Sequence, residues 1–217
     1  MNVFLDEGDY KCYIRLLKTY ATNYGLTIAA YCLMPNHIHL VGLPKRGDCI
    51  GKALQYCHGK YGEKFNEKYE KYGHVWQARP WSCPMDDSYA WAAVRYVERN
   101  PVRAKLVARA EDYRWSSAPA HCGGETDPLL TSQWPTVATI EDWSTWLGGG
   151  PDAEDERLIR ELTYTGRPCG SDDFVRSAEA AVGRRLRQQK PGPKLGPSVQ
   201  ETNPLLWDDD EESAKPE

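Results

Sequence analysis

No stretch of the chain is long and apolar enough to cross a bilayer. The longest such runs, Leu26–Leu33 and His37–Leu43, fall far short of the roughly eighteen residues a spanning helix needs. A mean hydropathy of −0.67 argues in the same direction. A basic-then-apolar leader is also missing, because Asp6, Glu7 and Asp9 follow Met1 almost at once. The seven cysteines are odd in number and scattered, and none forms a C-x-x-C pair, so neither a zinc finger nor a disulfide framework is expected. Reduced thiols and the missing leader together predict a cytoplasmic protein. There is no internal repeat and no well-placed cluster of carboxylates.

What is present is unevenly spread. Residues 1–117 hold 17 Lys and Arg against 12 Asp and Glu, whereas the remaining 100 residues hold 10 against 19. Within that acidic half, Arg184, Arg185, Arg187, Lys190 and Lys194 form a basic run without an acid among them. A net charge of −4 therefore does not exclude nucleic acid; it makes the positive surface local.

The apolar pattern predicts a small α+β domain. Tyr10, Tyr13, Ile14, Leu17 and Ala21 form a helical stripe over Asp9–Tyr24, capped by Asp6 or Asp9 and stopped by Gly25. Two strand-like runs, Leu26–Leu33 and His37–Leu43, flank Met34-Pro35-Asn36 and read as an antiparallel hairpin. A basic amphipathic helix is expected from Cys49 to about Tyr69, then a loop or short strand over Gly73–Trp81. Asp86, Asp87 or Ser88 can cap a further helix, Tyr89–Asn100, which Pro101 should end, with Val102–Val107 returning as a strand. Past Trp115 the composition shifts to Gly, Pro, Asp and Trp. Gly148-Gly149-Gly150-Pro151 reads as a linker, helices are expected near Asp152–Tyr164 and Ser171–Gln188, and the acidic Pro-rich end reads as disordered. The expected architecture is helices packed on one or both faces of an antiparallel sheet, with a helical C-terminal extension.

Two local features could carry chemistry. In a strand, His37 and His39 point to one face, so their imidazoles could share one divalent metal; they could equally be two satisfied histidines. Tyr96 and Asn100 lie four residues apart on one helix face. A tyrosine hydroxyl can attack phosphorus and an amide oxygen can join a metal shell, or the pair can be core packing and a helix end.

Together these features carry more. The segment Tyr31-Cys32-Leu33-Met34-Pro35-Asn36-His37-Ile38-His39-Leu40-Val41, followed by Arg95-Tyr96-Val97-Glu98-Arg99-Asn100-Pro101-Val102-Arg103-Ala104, resembles the single-tyrosine, IS200-like transposases of the HUH class. The closer likeness is to their REP-associated tyrosine transposase branch. Gly73–Gln77, Asp112–Ser117 and Thr165–Ser171 with Phe174-Val175 match that family too, so the likeness runs over about residues 5–190.

The resemblance implies a ferredoxin-like α+β domain over residues 1–125, a helical extension over 126–190 and a disordered acidic tail over 191–217. It implies that His37 and His39, with Asn100 as third ligand, hold Mg²⁺ or Mn²⁺. Tyr96 would then attack a DNA phosphodiester, leaving a 5′-phosphotyrosine and a free 3′-hydroxyl. The implied substrate is single-stranded or hairpin DNA, bound by a monomer or a homodimer. Candidate DNA contacts are Gln77 and, for phosphates, Arg79, Arg95, Arg99, Arg103, Lys105, Lys52 and Lys60; Trp76 and Trp81 could stack on unpaired bases or pack in the core. Family members begin with a first strand expected beside the histidine strand, and Met1–Leu5 starts after it would have ended. That departure keeps a second reading open, a hairpin-DNA-binding protein that no longer cuts. A third is a metallohydrolase in which His74 joins His37 and His39.

Overall fold

The computed structural model describes residues 1–131, 140–149 and 153–187. Among them are seven helices and one antiparallel pair of strands, an α+β layout as the pattern predicts. Helix α1, Glu7–Tyr24, starts at a capping box. Asp6 accepts from the Asp9 amide at 3.1 Å, and the Asp9 carboxylate accepts from the Asp6 amide at 3.3 Å. Gly25 ends it with a φ of 71°, a left-handed conformation that glycine adopts without a Cβ clash.

Strands β1 (Leu26–Met34) and β2 (His37–Pro44) pair through the Pro35-Asn36 turn, with Met34 opposite His37 and Cys32 opposite His39. One irregularity decides which side chains meet. The register shifts between Ile28 and Ala30, so Ala29 is an extra residue and the facing parity of β1 reverses there. Leu26, Ile28, Tyr31 and Leu33 consequently share one core with α1 and helix α2, Cys49–Tyr69. Ala30, Cys32 and Met34 share a second core with helix α3, Asp87–Arg103. Directly opposed residues lie on the same face of a pair, so His37 and His39 join the α3 side while Ile38 and Leu40 join the α1–α2 side.

The far edge of β1 is covered by irregular chain: the Leu33 amide donates to the Trp115 carbonyl at 2.9 Å and the Ser117 amide to the Tyr31 carbonyl at 2.9 Å. No segment pairs with the outer edge of β2 among the described residues.

Helix α3 departs from expectation at Pro101. The helix runs on to Arg103 and does not stop before the proline. Proline lacks only its own N–H, and near a helix end that loss removes one hydrogen bond. The Asn100, Pro101 and Val102 carbonyls accept from Ala104, Leu106 and Lys105, each at 2.9 Å, closing the end in a turn. The strand expected over Val102–Val107 is therefore absent. Its first two residues finish α3 and the chain reverses at Lys105, whose φ is 58°. Gly73–Trp81 is loop.

Four short helices follow: α4 (Ala118–His121), α5 (Trp143–Gly148), α6 (Ala153–Thr165) and α7 (Asp172–Val182). The last two fall where helices were expected, α7 stopping earlier, at Gly183 with a φ of 65°. Helix α5 lies partly in the Gly-rich stretch read as a linker; Gly150-Pro151 and the expected disordered tail, 191–217, lie outside the described residues.

Candidate active site

The site is assembled from a hairpin turn and one face of α3. Pro35-Asn36 delivers His37 to the start of β2, and the strand period of two sets His39 beside it on the α3 side. The His37 Nε2 and His39 Nε2 atoms stand 3.0 Å apart, their rings nearly perpendicular at 86°. The Asn36 Oδ1 accepts from His37 Nδ1 at 2.6 Å, which leaves the Nε2 lone pair of His37 facing His39.

Because α3 continues through Pro101, Tyr96, Asn100 and Arg103 fall four and three residues apart on one face. The Tyr96 ring meets His39 edge-on, with centroids 5.6 Å apart. Tyr96 is buried with 9% of its surface exposed, and its hydroxyl accepts from the Arg103 guanidinium at 3.3 Å. The same guanidinium lies 4.8 Å from the centre of the Tyr96 ring and donates to Asn100 Oδ1 at 2.6 Å. Asn100 is buried; its Nδ2 donates to the Tyr96 carbonyl at 2.8 Å, and its side chain also hydrogen-bonds His39. Histidine pair, phenol, amide and guanidinium form one connected cluster, with no carboxylate bonded to it among the described residues.

Its electrostatics follow from burial and like charge. Burial first, then His37 and Arg103, push His39 down to about 3, opposed by the Asn100 hydrogen bond. Burial and then Arg103 lower His37 too. Both imidazoles are therefore neutral at physiological pH, the form in which nitrogen binds a metal. Two nitrogens 3.0 Å apart also match two ligands on one cation with bonds of about 2.0–2.1 Å. The side chains fit a divalent cation, with the Asn100 amide, hydrogen-bonded to His39, a candidate third donor beside the pair. Among the described residues no three His, Cys, Asp or Glu side chains gather around a metal-sized gap, and His74 stands exposed in the 73–81 loop, so a three-histidine site has no geometric support.

The other candidate DNA contacts do not all come to this site. Arg95 and Arg99 turn toward α5. The Arg95 guanidinium lies 5.3 Å from the Trp146 ring with its Nε buried, and Arg99 donates to the Leu147 carbonyl. Trp76 stacks on His58 at 4.1 Å and donates to its carbonyl at 3.2 Å, so it packs, half-buried, against the α1–α2 core. Lys52 and Lys60 sit on exposed α2, across the sheet from the site, paired with Asp48 at 2.8 Å and Glu63 at 2.5 Å. Gln77 and Arg79 are exposed in the loop before α3; Trp81 is exposed there as well, its ring 5.4 Å from that of Tyr164. Lys105 is exposed just past α3.

The link from Arg103 to Tyr96 escaped the sequence reading, although their seven-residue spacing signalled a shared face once Pro101 is allowed inside the helix. Glu98 was missed entirely. It is fully buried, accepts from Ser117 Oγ at 2.5 Å, His121 Nδ1 at 2.5 Å and Trp143 Nε1 at 2.7 Å, and so ties α3 to α4 and α5. The Thr165–Ser171 segment supports α3 at its start: the Asp86 carboxylate caps Tyr89 at 3.2 Å and accepts from the Ser171 amide at 2.7 Å.

With this geometry in hand, comparison with known proteins gives two findings. Residues 2–100 match the family described as "Transposase IS200 like". The chain is also 28% identical over 141 residues to a Haemophilus influenzae protein named "Putative REP-associated tyrosine transposase", covering 60% of this chain and 71% of that protein. No solved structure matches. Both findings support the family to which the motifs point. The family match spans α1 through Asn100 and so takes in His37, His39 and Tyr96. No helix among the described residues is long and apolar enough to cross a membrane.

Proposed function

We propose that this chain, whose residues 2–100 carry an IS200-like transposase domain, nicks and rejoins single-stranded or hairpin DNA through a covalent tyrosine intermediate formed in the cytoplasm. The observation that carries this reading is the Tyr96 hydroxyl, held by Arg103 on the same face as the His37–His39 pair. In the forward step the Tyr96 oxygen attacks the scissile phosphorus. The bond from phosphorus to the 3′-oxygen breaks, that oxygen leaves and takes a proton, and the phenol proton goes to water. Rejoining is the reverse: a 3′-hydroxyl attacks and the tyrosine oxygen departs, so no energy cofactor is needed.

His37 Nε2, His39 Nε2 and Asn100 Oδ1 would hold Mg²⁺ or Mn²⁺. When bound, such an ion polarises a non-bridging phosphate oxygen as a Lewis acid. The protein's own part is to align the phenol, keep both imidazoles neutral and offer the Arg103 guanidinium to an anion. Helix α5 and the 165–171 segment brace α3 from outside the 1–125 unit that we take as catalytic.

The test is incubation with end-labelled hairpin DNA and Mn²⁺, followed by denaturing electrophoresis. A denaturation-resistant adduct is expected that EDTA prevents, and Tyr96→Phe should lose it by about a thousandfold or more while DNA affinity stays within twofold. An adduct surviving in Tyr96→Phe removes this tyrosine from the mechanism. Tight binding with no adduct in the wild type would favour the non-cutting hairpin-binding reading.

A further inference from the structure

We propose that Arg103 is a catalytic residue of this strand transfer, acting on the tyrosine oxygen itself; the inference rests on the reading of Tyr96 as nucleophile. Three observations converge. The guanidinium donates to the Tyr96 hydroxyl at 3.3 Å, lies 4.8 Å from the centre of the same ring, and is anchored by a 2.6 Å bond to Asn100 Oδ1. It is exposed at the end of α3, and among the described residues no carboxylate pairs with it. The arginines one and two turns back are used differently, Arg99 on the Leu147 carbonyl and Arg95 against Trp146. Of the three arginines on this helix, Arg103 alone reaches the reacting oxygen.

The chemistry calls for a cation at that position. When the adduct is resolved, the bond between phosphorus and the Tyr96 oxygen breaks and negative charge builds on that oxygen before a proton arrives. A fixed guanidinium N–H beside it stabilises that charge without reorganising, as preorganised donors do in other transfer sites. In the forward step, the same group orients the phenol toward phosphorus; since Nη2 serves both Tyr96 and Asn100, a non-bridging oxygen would be met through Nη1 as charge builds there in the transition state. The Asn100 bond sets the guanidinium plane, so amide and arginine work as one unit.

A simple phosphate contact would act on affinity; a catalytic arginine acts on rates at saturating DNA. The experiment therefore separates them, using the full chain, labelled hairpin DNA and Mn²⁺. Affinity is measured in the Tyr96→Phe background with and without Arg103→Met. Single-turnover adduct formation, and release of the adduct by an added 3′-hydroxyl strand, are measured at saturating DNA. Arg103→Met should slow both steps by about a hundredfold, with rejoining affected at least as much as cleavage, while the dissociation constant moves less than threefold. Arg103→Lys, which keeps the charge and loses the planar fork, should lie between. Wild-type rates at saturation, with or without weaker binding, would overturn the proposal and leave the role of Tyr96 intact. No adduct from the wild type would overturn both. Equal thermal melts of the three proteins exclude misfolding, and a graded Met-to-Lys response makes the same point within the kinetics.

Discussion

Helix α3 has two polar faces, and they are built on opposite terms. On the side facing α4 and α5, Glu98 is fully buried and takes hydrogen bonds from Ser117, His121 and Trp143, while Arg99 spends a donor on the Leu147 carbonyl. The Glu98 carboxylate is satisfied there within the protein by three donors, as a buried polar group must be. On the side facing β2, Tyr96, Asn100 and Arg103 meet His37 and His39, and among the described residues no acid pairs with the arginine. Like charge is tolerated because the histidines stay neutral, His39 being pushed down to about 3. One face completes the fold, and the other, under the proposed function, would take an anion and a cation from outside. Substitutions on the two faces should therefore fail in different ways.

The sharpest way to break that contrast is His39→Ala. On the site face it should cut adduct formation by a hundredfold or more, because one of two nitrogen donors disappears. The melting temperature should move only slightly, since His39 is half-buried at the sheet edge. A drop of ten degrees with adduct formation preserved per folded molecule would make this face structural after all.

The mirror experiment is Glu98→Gln, measured by thermal and denaturant unfolding. An amide offers one acceptor and two donors to a pocket whose partners all donate, so some are left unmatched. The loss should be about 1–3 kcal/mol, or roughly 2–12 °C in melting temperature for a chain of this size. Adduct formation at low temperature, where the variant is folded, should stay within about twofold. If activity falls more than stability, the two faces communicate and the division fails.

The contrast also shows what was legible in the residues. The hairpin and α2 were readable because a Pro-Asn turn separates two apolar runs and the Cys49–Tyr69 stripe is unbroken. The histidine pair and Tyr96 were readable as a motif, since each lies in a local pattern. What failed was either local and finely balanced or remote. The rule that the residue before a proline leaves the helix lost to three carbonyl bonds closing the end of α3, and with that rule went a predicted strand. The parity reversal at Ala29 leaves no trace in composition, although it decides which core each β1 side chain enters. Helix α5 has six residues, too few for periodicity to declare itself. Arg95 and Arg99 looked like phosphate ligands because their partners, Trp146 and the Leu147 carbonyl, lie some fifty residues on in the chain. A charged residue's sequence neighbours say little about which of two helix faces it will serve.

The smallest effect expected is also the one that sharpens the comparison without touching activity. An unfolded histidine titrates near 6.5, whereas burial and neighbouring charge hold folded His39 at about 3. Above about pH 7 neither state carries the proton and His39 contributes no pH dependence. As the pH falls below 6.5, the unfolded chain takes up a proton that the native site refuses, so stability declines until the pH reaches the folded value. At pH 5.5 that loss is about 1 kcal/mol for one such histidine. His58, held down to about 4 by burial between Tyr13 and Trp76, should contribute a similar loss from the α1–α2 core. Urea unfolding of the metal-free protein at pH 7.5 and 5.5 should therefore show His39→Asn and His58→Gln each flattening the decline by about 1 kcal/mol. Only the first should abolish adduct formation at neutral pH. A wild-type slope in His39→Asn would mean that His39 is protonated in the folded site. The cluster beside Arg103 would then have to contain a counterion, and the division between the two faces of α3 would no longer hold.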